Sequence, residues 1–144
     1  MKIAVSACLL GDKVRYDGKD KLNKELVELL KNHDVIKICP EVASGFSIPR
    51  KPMEMKDNKV INIDNQDLTK QLINGCNICL KMIDDCDFLV LKSKSPTCGY
   101  QAIYDGSFTS TLTNKNGLFS QMVLDRGFTI YSEKDIEILR KILQ

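Results

Sequence analysis

The segment Lys2-Ile-Ala-Val-Ser-Ala-Cys8 is a short apolar run that leads directly to a cysteine. Two later runs have the same form: Val35-Ile-Lys-Ile38 stands before Cys39, and Phe88-Leu-Val-Leu91 stands shortly before Cys98. Short apolar runs of this kind predict buried strands. In an open parallel sheet, ligands bind in the crevice outside the carboxyl ends of the strands. If the three strands are neighbours, their thiols converge on one crevice, which indicates a metal or iron–sulfur site with one coordination position left open.

Helical patterns alternate with these strands, which predicts an α/β fold with a parallel sheet. The 144 residues, 43% apolar and 28% charged, have the size and composition of one globular domain. We therefore expect a single Rossmann-like α/β domain over residues 1–144, a parallel-sheet sandwich with helices on both faces. The predicted helices cover residues 24–32 with Asn23 as N-cap, a stretch from Asp64 or Asn65 to about residue 85, residues 117–125, and a terminal stretch after Ser132-Glu-Lys-Asp135.

The net charge and the hydrophobic profile of the sequence limit the kinds of binding partner that we expect. The formal net charge is +2 and the lysines are spread along the chain, so we expect no nucleic-acid and no membrane partner. No apolar stretch approaches the roughly 18 residues of a membrane span, and no secretion signal is apparent near Lys2. We expect a cytoplasmic protein with a small-molecule partner, whose six cysteines stay reduced. Nothing in the sequence indicates an oligomeric state.

Residues 40–58 form a long segment that contains three prolines and Gly45. Such long connections are usually functional or disordered, and the apolar Val42, Phe46 and Ile48 favour an ordered one. The segment begins with Cys39-Pro-Glu41, in which the proline stiffens the loop and the carboxylate lies two residues from the thiol. A short extra strand is expected at residues 60–63.

The third thiol lies in Ser95-Pro-Thr-Cys-Gly99, where the proline fixes a turn and the glycine permits a close backbone approach. We expect Lys92 and Lys94 to lower the pKa of Cys98 and to favour the ligating thiolate. The first thiol, Cys8, does not belong to a phosphatase loop, because six residues rather than five separate it from Arg15.

Cys76 and Cys79 form a Cys-x-x-Cys pair inside a helical stretch whose apolar face includes Leu72 and Leu80. Core packing is the simplest interpretation, since no second pair completes a four-thiol zinc site. A metal or redox role remains the alternative for this pair. We expect Cys86 to be a buried structural residue.

Several motifs together resemble the thiouracil desulfurase (desulfidase) family, once described only as a bacterial domain of unknown function. The motifs are Ser6-Ala-Cys-Leu-Leu-Gly11, Arg15-Tyr-Asp-Gly18, Cys39-Pro-Glu41, Pro49-Arg50, Ser95-Pro-Thr-Cys-Gly99 and Tyr104-Asp-Gly-Ser-Phe108. The resemblance implies a [4Fe–4S] cluster held by Cys8, Cys39 and Cys98, with the fourth iron open. It further implies a non-redox desulfuration in which that iron binds the sulfur of a thiolated pyrimidine such as 2- or 4-thiouracil while oxygen replaces it.

The resemblance also implies roles for other residues. Glu41 matches an acid/base carboxylate, and Ser95 matches the first serine of a Ser-Pro-Ser-Cys-Gly turn that orients the substrate or the developing charge. Thr97 replaces the second serine of that turn and keeps the hydroxyl. The expected substrate-binding residues are Ser6, Asp17, Arg50 and Thr97.

A different class of function is compatible with the same cysteines. A non-catalytic iron–sulfur or metal-binding module that senses iron or redox state would also need three thiolates. Such a sensor has no need for Glu41, Ser95 and an ordered proline-containing segment beside the thiols, so the sequence favours the enzyme. An α/β domain whose cysteines are only core residues is the third interpretation, and the three strand-end positions disfavour it.

Overall fold

The computed structural model describes residues 1–144. In chain order the elements are β1 (Lys2–Ser6), α1 (Lys24–Leu30), β2 (Asp34–Ile38), α2 (Pro40–Ala43), β3 (Met53–Lys56), β4 (Lys59–Asn62), α3 (Thr69–Met82), β5 (Phe88–Leu91), β6 (Ile103–Tyr104), β7 (Leu112–Thr113), α4 (Leu118–Asp125), β8 (Ile130–Ser132) and α5 (Ile136–Leu143). No helix is long and apolar enough to span a membrane.

The central sheet has four parallel strands in the order β2-β1-β5-β8. In register, Ala4 of β1 lies between Ile36 of β2 and Leu89 of β5, and Leu89 in turn faces Ile130 of β8. The three strands that precede the cysteines are therefore adjacent, with β1 in the middle. Because all strands run the same way, their carboxyl ends share one edge of the sheet, which places the three following loops side by side.

Both faces of the sheet are covered, as expected. Residues alternate along each central strand, so Ile3 and Val5 pack with α1 and α5 on one face while Ala4 points to the other. The second face packs against α3 and α4, with Phe119 and Cys76 fully buried there. Strands buried on both faces read as continuous apolar runs, which is why β1 and β5 were visible in the sequence. The α/β class with helices on both faces is confirmed.

Two local predictions about helix starts have different outcomes. Asn23 caps α1 as expected, since its side-chain oxygen accepts a hydrogen bond from the Leu26 amide at 3.0 Å. The predicted start of α3 at Asp64 or Asn65 is wrong, because Asn65 has a φ of +62° in the turn after β4. The helix begins instead at Thr69, whose amide and hydroxyl both donate to Asp67.

The segment 40–58 is ordered, as expected, but it is not a loop throughout. It contains the short helix α2 and the strand β3, which pairs antiparallel with β4. The extra strand predicted at residues 60–63 is β4, displaced by one residue. A second small hairpin, β6–β7, packs against β3. These hairpins are additions to the parallel sheet, and residues from both line the cavity described below.

Candidate active site

A cavity of about 470 Å³ lies at the carboxyl edge of the sheet. All three strand-end cysteines line it: Cys8 from the turn after β1, Cys39 from the residue between β2 and α2, and Cys98 from the loop after β5. All six cysteines of the chain are free thiols. The convergence expected from strand order is therefore present in the structure.

The Cys98 loop is fixed by its own backbone and by α4. Ser95 Oγ accepts hydrogen bonds from the amides of Thr97 and Cys98, both at 3.1 Å. The first amides of α4 donate to the carbonyl groups of Pro96 and Thr97, so the loop is attached to a helix N-terminus. A Cβ at Gly99 would lie 2.7 Å from the Ser95 carbonyl oxygen, so glycine is required in this tight turn. The backbone that carries the Cys98 thiol is therefore fixed on both sides of the cysteine.

The three thiols have raised pKa values. Burial raises the pKa of Cys8 to about 11, and the neighbouring Cys39 thiol adds to the effect. Burial also raises the pKa of Cys39, although the backbone amide of Val42 opposes it. The pKa of Cys98 is raised well above its ordinary value by burial and by Cys39, Glu41 and Cys8. Each of the three thiols therefore lies within electrostatic range of another.

The expectation that Lys92 and Lys94 lower the pKa of Cys98 is wrong. Burial dominates at Cys98, and the charges that act on it are those of the other thiols and of Glu41. The Lys92 ammonium group instead lies 3.4 Å from Glu133 and donates to the Ser93 carbonyl at 3.0 Å. From there its charge lowers the pKa of Cys8.

Glu41 stands in the first turn of α2 and is fixed by two partners. Its Oε1 accepts from Arg50 Nε at 3.2 Å and from Arg50 Nη2 at 3.0 Å, and its Oε2 accepts from the Thr97 hydroxyl at 3.0 Å. Arg50 is itself held by the carbonyl groups of Ser47 and Val14. The Arg50 side chain is 8% exposed and that of Glu41 17% exposed, so the pair is shielded from bulk water. The result is a rigid carboxylate on the cavity wall.

The structure places most, but not all, of the predicted site residues at the cavity. The predicted residues that line it are Ser6, Cys8, Cys39, Glu41, Arg50, Ser95 and Cys98. Thr97 is fully buried and lies behind Glu41 rather than on the cavity wall. Asp17 is not among the lining residues, because it lies in an exposed turn where its carboxylate accepts from the Lys19 amide.

Sequence reasoning missed two other acidic residues. Glu133 follows the fourth parallel strand and accepts hydrogen bonds from the amide and the hydroxyl of Ser93, which lines the cavity. Glu133 directly follows β8, and this position at the carboxyl end of a strand could have identified it as a candidate site residue. Glu54 lines the cavity from β3, where it is only 8% exposed between Met53 and Met55. Nothing in the sequence distinguishes it from an ordinary solvated glutamate.

The Cys-x-x-Cys pair lies in the core face of α3. Cys76 is fully buried and Cys79 is 1% exposed, and burial raises their pKa values to about 12 and about 11. Neither lines the cavity. The Cys79 thiol lies near the backbone amide of Cys39, which lowers its pKa. The pair therefore packs beneath the Cys39 loop, in agreement with the core-packing interpretation.

The donor set around the cavity fits an iron–sulfur cluster. Thiolates are the ligands that hold such clusters, and three of them leave one iron of a four-iron cluster without a protein ligand. The three thiols line the cavity and do not form a compact group that could hold a single metal ion. An iron–sulfur cluster does not require such a compact group, because its thiolate ligands bond different iron atoms.

Comparisons with known proteins identify the family to which the chain belongs. The model of the 2-thiouracil desulfurase family matches residues 3–135. The uncharacterized protein YbbK of Bacillus subtilis (strain 168) is 27% identical over 146 residues, covering 93% of this chain and 97% of the relative. The solved structure of the [4Fe–4S]-dependent thiouracil desulfidase TudS is similar with a TM-score of 0.90 and 34% identity, covering 99% of this chain and 97% of that one. The chain therefore belongs to the 2-thiouracil desulfurase family.

Proposed function

We propose that the protein is an iron–sulfur-dependent desulfurase that replaces the sulfur of a thiolated pyrimidine with oxygen. One observation carries the proposal for this chain: three free thiols and a fixed carboxylate line a single cavity at the sheet edge. A volume of about 470 Å³ falls in the range of small-molecule sites, so it suits a pyrimidine-sized ligand. Membership of the family and the similarity to TudS support the same reaction.

Cys8, Cys39 and Cys98 would hold the cluster as thiolates. Bound there, the cluster supplies an open iron that acts as a Lewis acid towards the soft sulfur of the substrate. Deprotonation of thiols with raised pKa values opposes binding at neutral pH, so cluster assembly must release their protons. The rigid Cys98 loop limits the reorganisation that assembly requires.

Glu41 is placed to handle the protons of the attacking water. A carboxylate offers about four lone-pair positions, two on each oxygen. Arg50 occupies two on Oε1 and Thr97 occupies one on Oε2, so one acceptor position on Oε2 remains. We assign that position to the water that attacks the thiocarbonyl carbon. Arg50 and Thr97 then contribute by orienting Glu41, and the exposed Asp17 has no contact that supports a binding role.

Ser95 complements Glu41 as a donor. Its oxygen accepts two backbone amides, while its own hydrogen has no acceptor within the chain. Because Ser95 lines the cavity, that hydrogen is available to a substrate oxygen or to negative charge that develops during attack. Ser6 also lines the cavity, and its hydroxyl accepts from the Lys92 amide at 2.9 Å. We propose that Ser6 contributes mainly by supporting the Cys98 thiol, whose pKa it lowers.

The net reaction needs no oxidant or reductant. Water forms a carbon–oxygen bond, the carbon–sulfur bond breaks, and the two protons of water end on sulfur as hydrogen sulfide. Glu41 takes a proton from water and returns it to the leaving sulfur, so its charge is restored in each cycle. A pyrimidine carbonyl and sulfide are the products. A protein whose six cysteines are all unpaired suits a reducing compartment, and we propose the cytoplasm.

The test is turnover of 2- or 4-thiouracil by protein reconstituted anaerobically with iron and sulfide. We expect release of sulfide and the oxygen-containing base in equal amounts. Glu41→Gln should retain the cluster spectrum and lose about 10²- to 10⁴-fold in turnover, because it cannot accept the proton. Glu28→Gln, an exposed carboxylate on α1, is the matched control. A stable cluster without sulfide release from any thiolated base would support a sensor instead.

A further inference from the structure

Glu54 is an acidic side chain of the cavity to which the mechanism above gives no role. It is 8% exposed, flanked on β3 by the buried Met53 and Met55. No lysine or arginine pairs with it, in contrast to Glu41 and Glu133. Removing a carboxylate from water without a cationic partner costs free energy, so an unpaired one on a cavity wall needs a reason.

One oxygen of Glu54 is fully used by the backbone. Oε1 accepts from the Gly106 amide at 3.0 Å and from the Phe108 amide at 3.2 Å. Both residues lie in the turn between β6 and β7, with φ values of +93° and +57°. The same hairpin region contributes Tyr104 and Ser110 to the cavity lining. Through Oε1, Glu54 joins β3 to this turn.

The other oxygen is free. Oε2 makes no hydrogen bond within the chain, and no fully buried side-chain oxygen or nitrogen in the structure lacks a partner. Oε2 is therefore accessible. Because Glu54 has little exposed surface and lines the cavity, that accessible oxygen faces the cavity space. It is a charged acceptor in a site whose other fixed carboxylate, Glu41, already has three donors.

We propose that Glu54 Oε2 accepts a ring N–H of the substrate and thereby selects cyclic thioamides with an unsubstituted N–H. This inference rests on the proposed desulfurase function. A thiolated pyrimidine presents N–H donors beside its thiocarbonyl group, and Oε2 supplies the matching acceptor. When the ring nitrogen carries a methyl group, it has no hydrogen to donate, and the carboxylate of Glu54 would be desolvated without a partner. Binding sites discriminate strongly against ligands that leave a buried polar group unpaired in this way.

Glu54→Gln separates recognition from support of the turn. The two amides of Gly106 and Phe108 require an acceptor, so the Gln carbonyl oxygen replaces Oε1 and the amide NH₂ faces the cavity. The variant therefore keeps the turn and replaces the cavity-facing acceptor with a donor. We expect a rise of about 10- to 100-fold in KM for 2-thiouracil, the worth of a hydrogen bond to a charged group, with a smaller change in kcat. Glu137→Gln, an exposed carboxylate on α5, is the control.

Two further measurements complete the test. Wild-type protein should discriminate against 1-methyl- or 3-methyl-2-thiouracil, and Glu54→Gln should lose that discrimination. Hydrogen exchange of the Gly106 and Phe108 amides should be the same in both proteins. An unchanged KM with unchanged discrimination overturns the proposal. A raised KM accompanied by faster exchange of these amides also overturns it, because Glu54 would then act only by positioning the turn.

Calorimetric binding separates this proposal from the desulfurase function. If cluster-loaded wild-type protein binds 2-thiouracil, Glu54→Gln weakens that binding and neither protein releases sulfide, the Glu54 assignment stands and the proposed reaction is wrong. If sulfide is released equally by both proteins at all substrate concentrations, the reaction stands and the Glu54 assignment is wrong. Failure of the wild-type protein to bind any thiolated pyrimidine contradicts both.

Discussion

At the residue scale, the site pairs each fixed carboxylate with backbone or cationic donors. Glu41 has Arg50 and Thr97, and Glu133 has Ser93 and Lys92. Each of the two carboxylates has three donors, but only Glu41 lines the cavity. Glu133 is connected to the cavity through Ser93, which lines it. We therefore place Glu41 in the reaction and Glu133 in the support of the Lys92–Ser93 loop.

Glu133 gives the protein a pH-dependent contribution to stability. Burial raises the pKa of Glu133, but the Ser93 amide, the Lys92 charge and the Ser93 hydroxyl outweigh it, so the pKa is lowered below 4.5. A carboxyl whose folded pKa is lowered stabilises the fold above its unfolded pKa and loses that contribution as the pH falls through the folded value. Glu133→Gln should cost about 1–2 kcal/mol of unfolding free energy near neutral pH and progressively less below about pH 4.5.

Denaturant titrations at neutral and acidic pH measure this difference. Glu137→Gln, in which the exposed carboxylate is replaced, should differ little from the wild type across the same range. A Glu133→Gln penalty that stays constant down to acidic pH would show that the carboxylate charge is not the source of the stabilisation.

The sequence was sufficient to find the thiols but not the partners of the carboxylates. Cys8, Cys39 and Cys98 follow apolar strands, and strand ends are local features of a sequence. The hydrogen bond from Thr97 to Glu41 joins residues 56 positions apart, and those from Gly106 and Phe108 to Glu54 span similar distances. Such contacts depend on the packing of loops, which no local pattern encodes.

At the element scale, α2 is the element that ties the site to the core. It begins directly after Cys39, carries Glu41 and packs on α3. The contact is close because α3 presents Gly75 to it: a Cβ at this position would overlap the Ser44 side chain and the Pro40 carbonyl oxygen. The position of Glu41 therefore depends on Gly75 of α3, which has no side chain to displace α2.

Gly75→Ala should displace α2 from α3. In an isolated helix alanine is favoured over glycine, but overpacking a tight contact typically costs about 1–3 kcal/mol, so the contact dominates. We expect lower unfolding free energy and reduced turnover together, measured by denaturant titration and sulfide release. Asn77→Ala, on the exposed face of the same helix, should be neutral or slightly stabilising. A stable, fully active Gly75→Ala protein would show that α2 does not need this close contact.

The elements differ in how well the sequence predicts them, for physical reasons. The buried strands β1 and β5 appear as continuous apolar runs, and β5 has the predicted limits of 88 and 91. The strand β3 (Met53–Lys56) was missed because two of its four residues are charged and it follows a proline-containing segment. The start of α3 was misplaced because Asp64 and Asn65 resemble N-caps yet serve the turn after β4.

At the scale of the whole molecule, one sheet serves two cores. The α1/α5 layer and the α3/α4 layer pack on opposite faces of the same four strands. Unfolding of either layer would therefore expose one apolar face of the sheet to water. The proposal of a single domain over residues 1–144 predicts one cooperative thermal transition. Calorimetry of the reduced protein should give equal calorimetric and van't Hoff enthalpies. Two resolved transitions would contradict the single-domain assignment.

The iron and sulfide content of reconstituted wild-type protein and of single Cys→Ser variants tests most directly whether the strand-end thiols hold a cluster. We expect about four iron and four sulfide per wild-type chain. We expect loss of the cluster in Cys8→Ser, Cys39→Ser and Cys98→Ser, the three thiols of the cavity. Cys86→Ser, a buried thiol away from the cavity, should retain the full content. An unchanged cluster content in Cys98→Ser would contradict the claim that these three strand-end thiols hold the cluster.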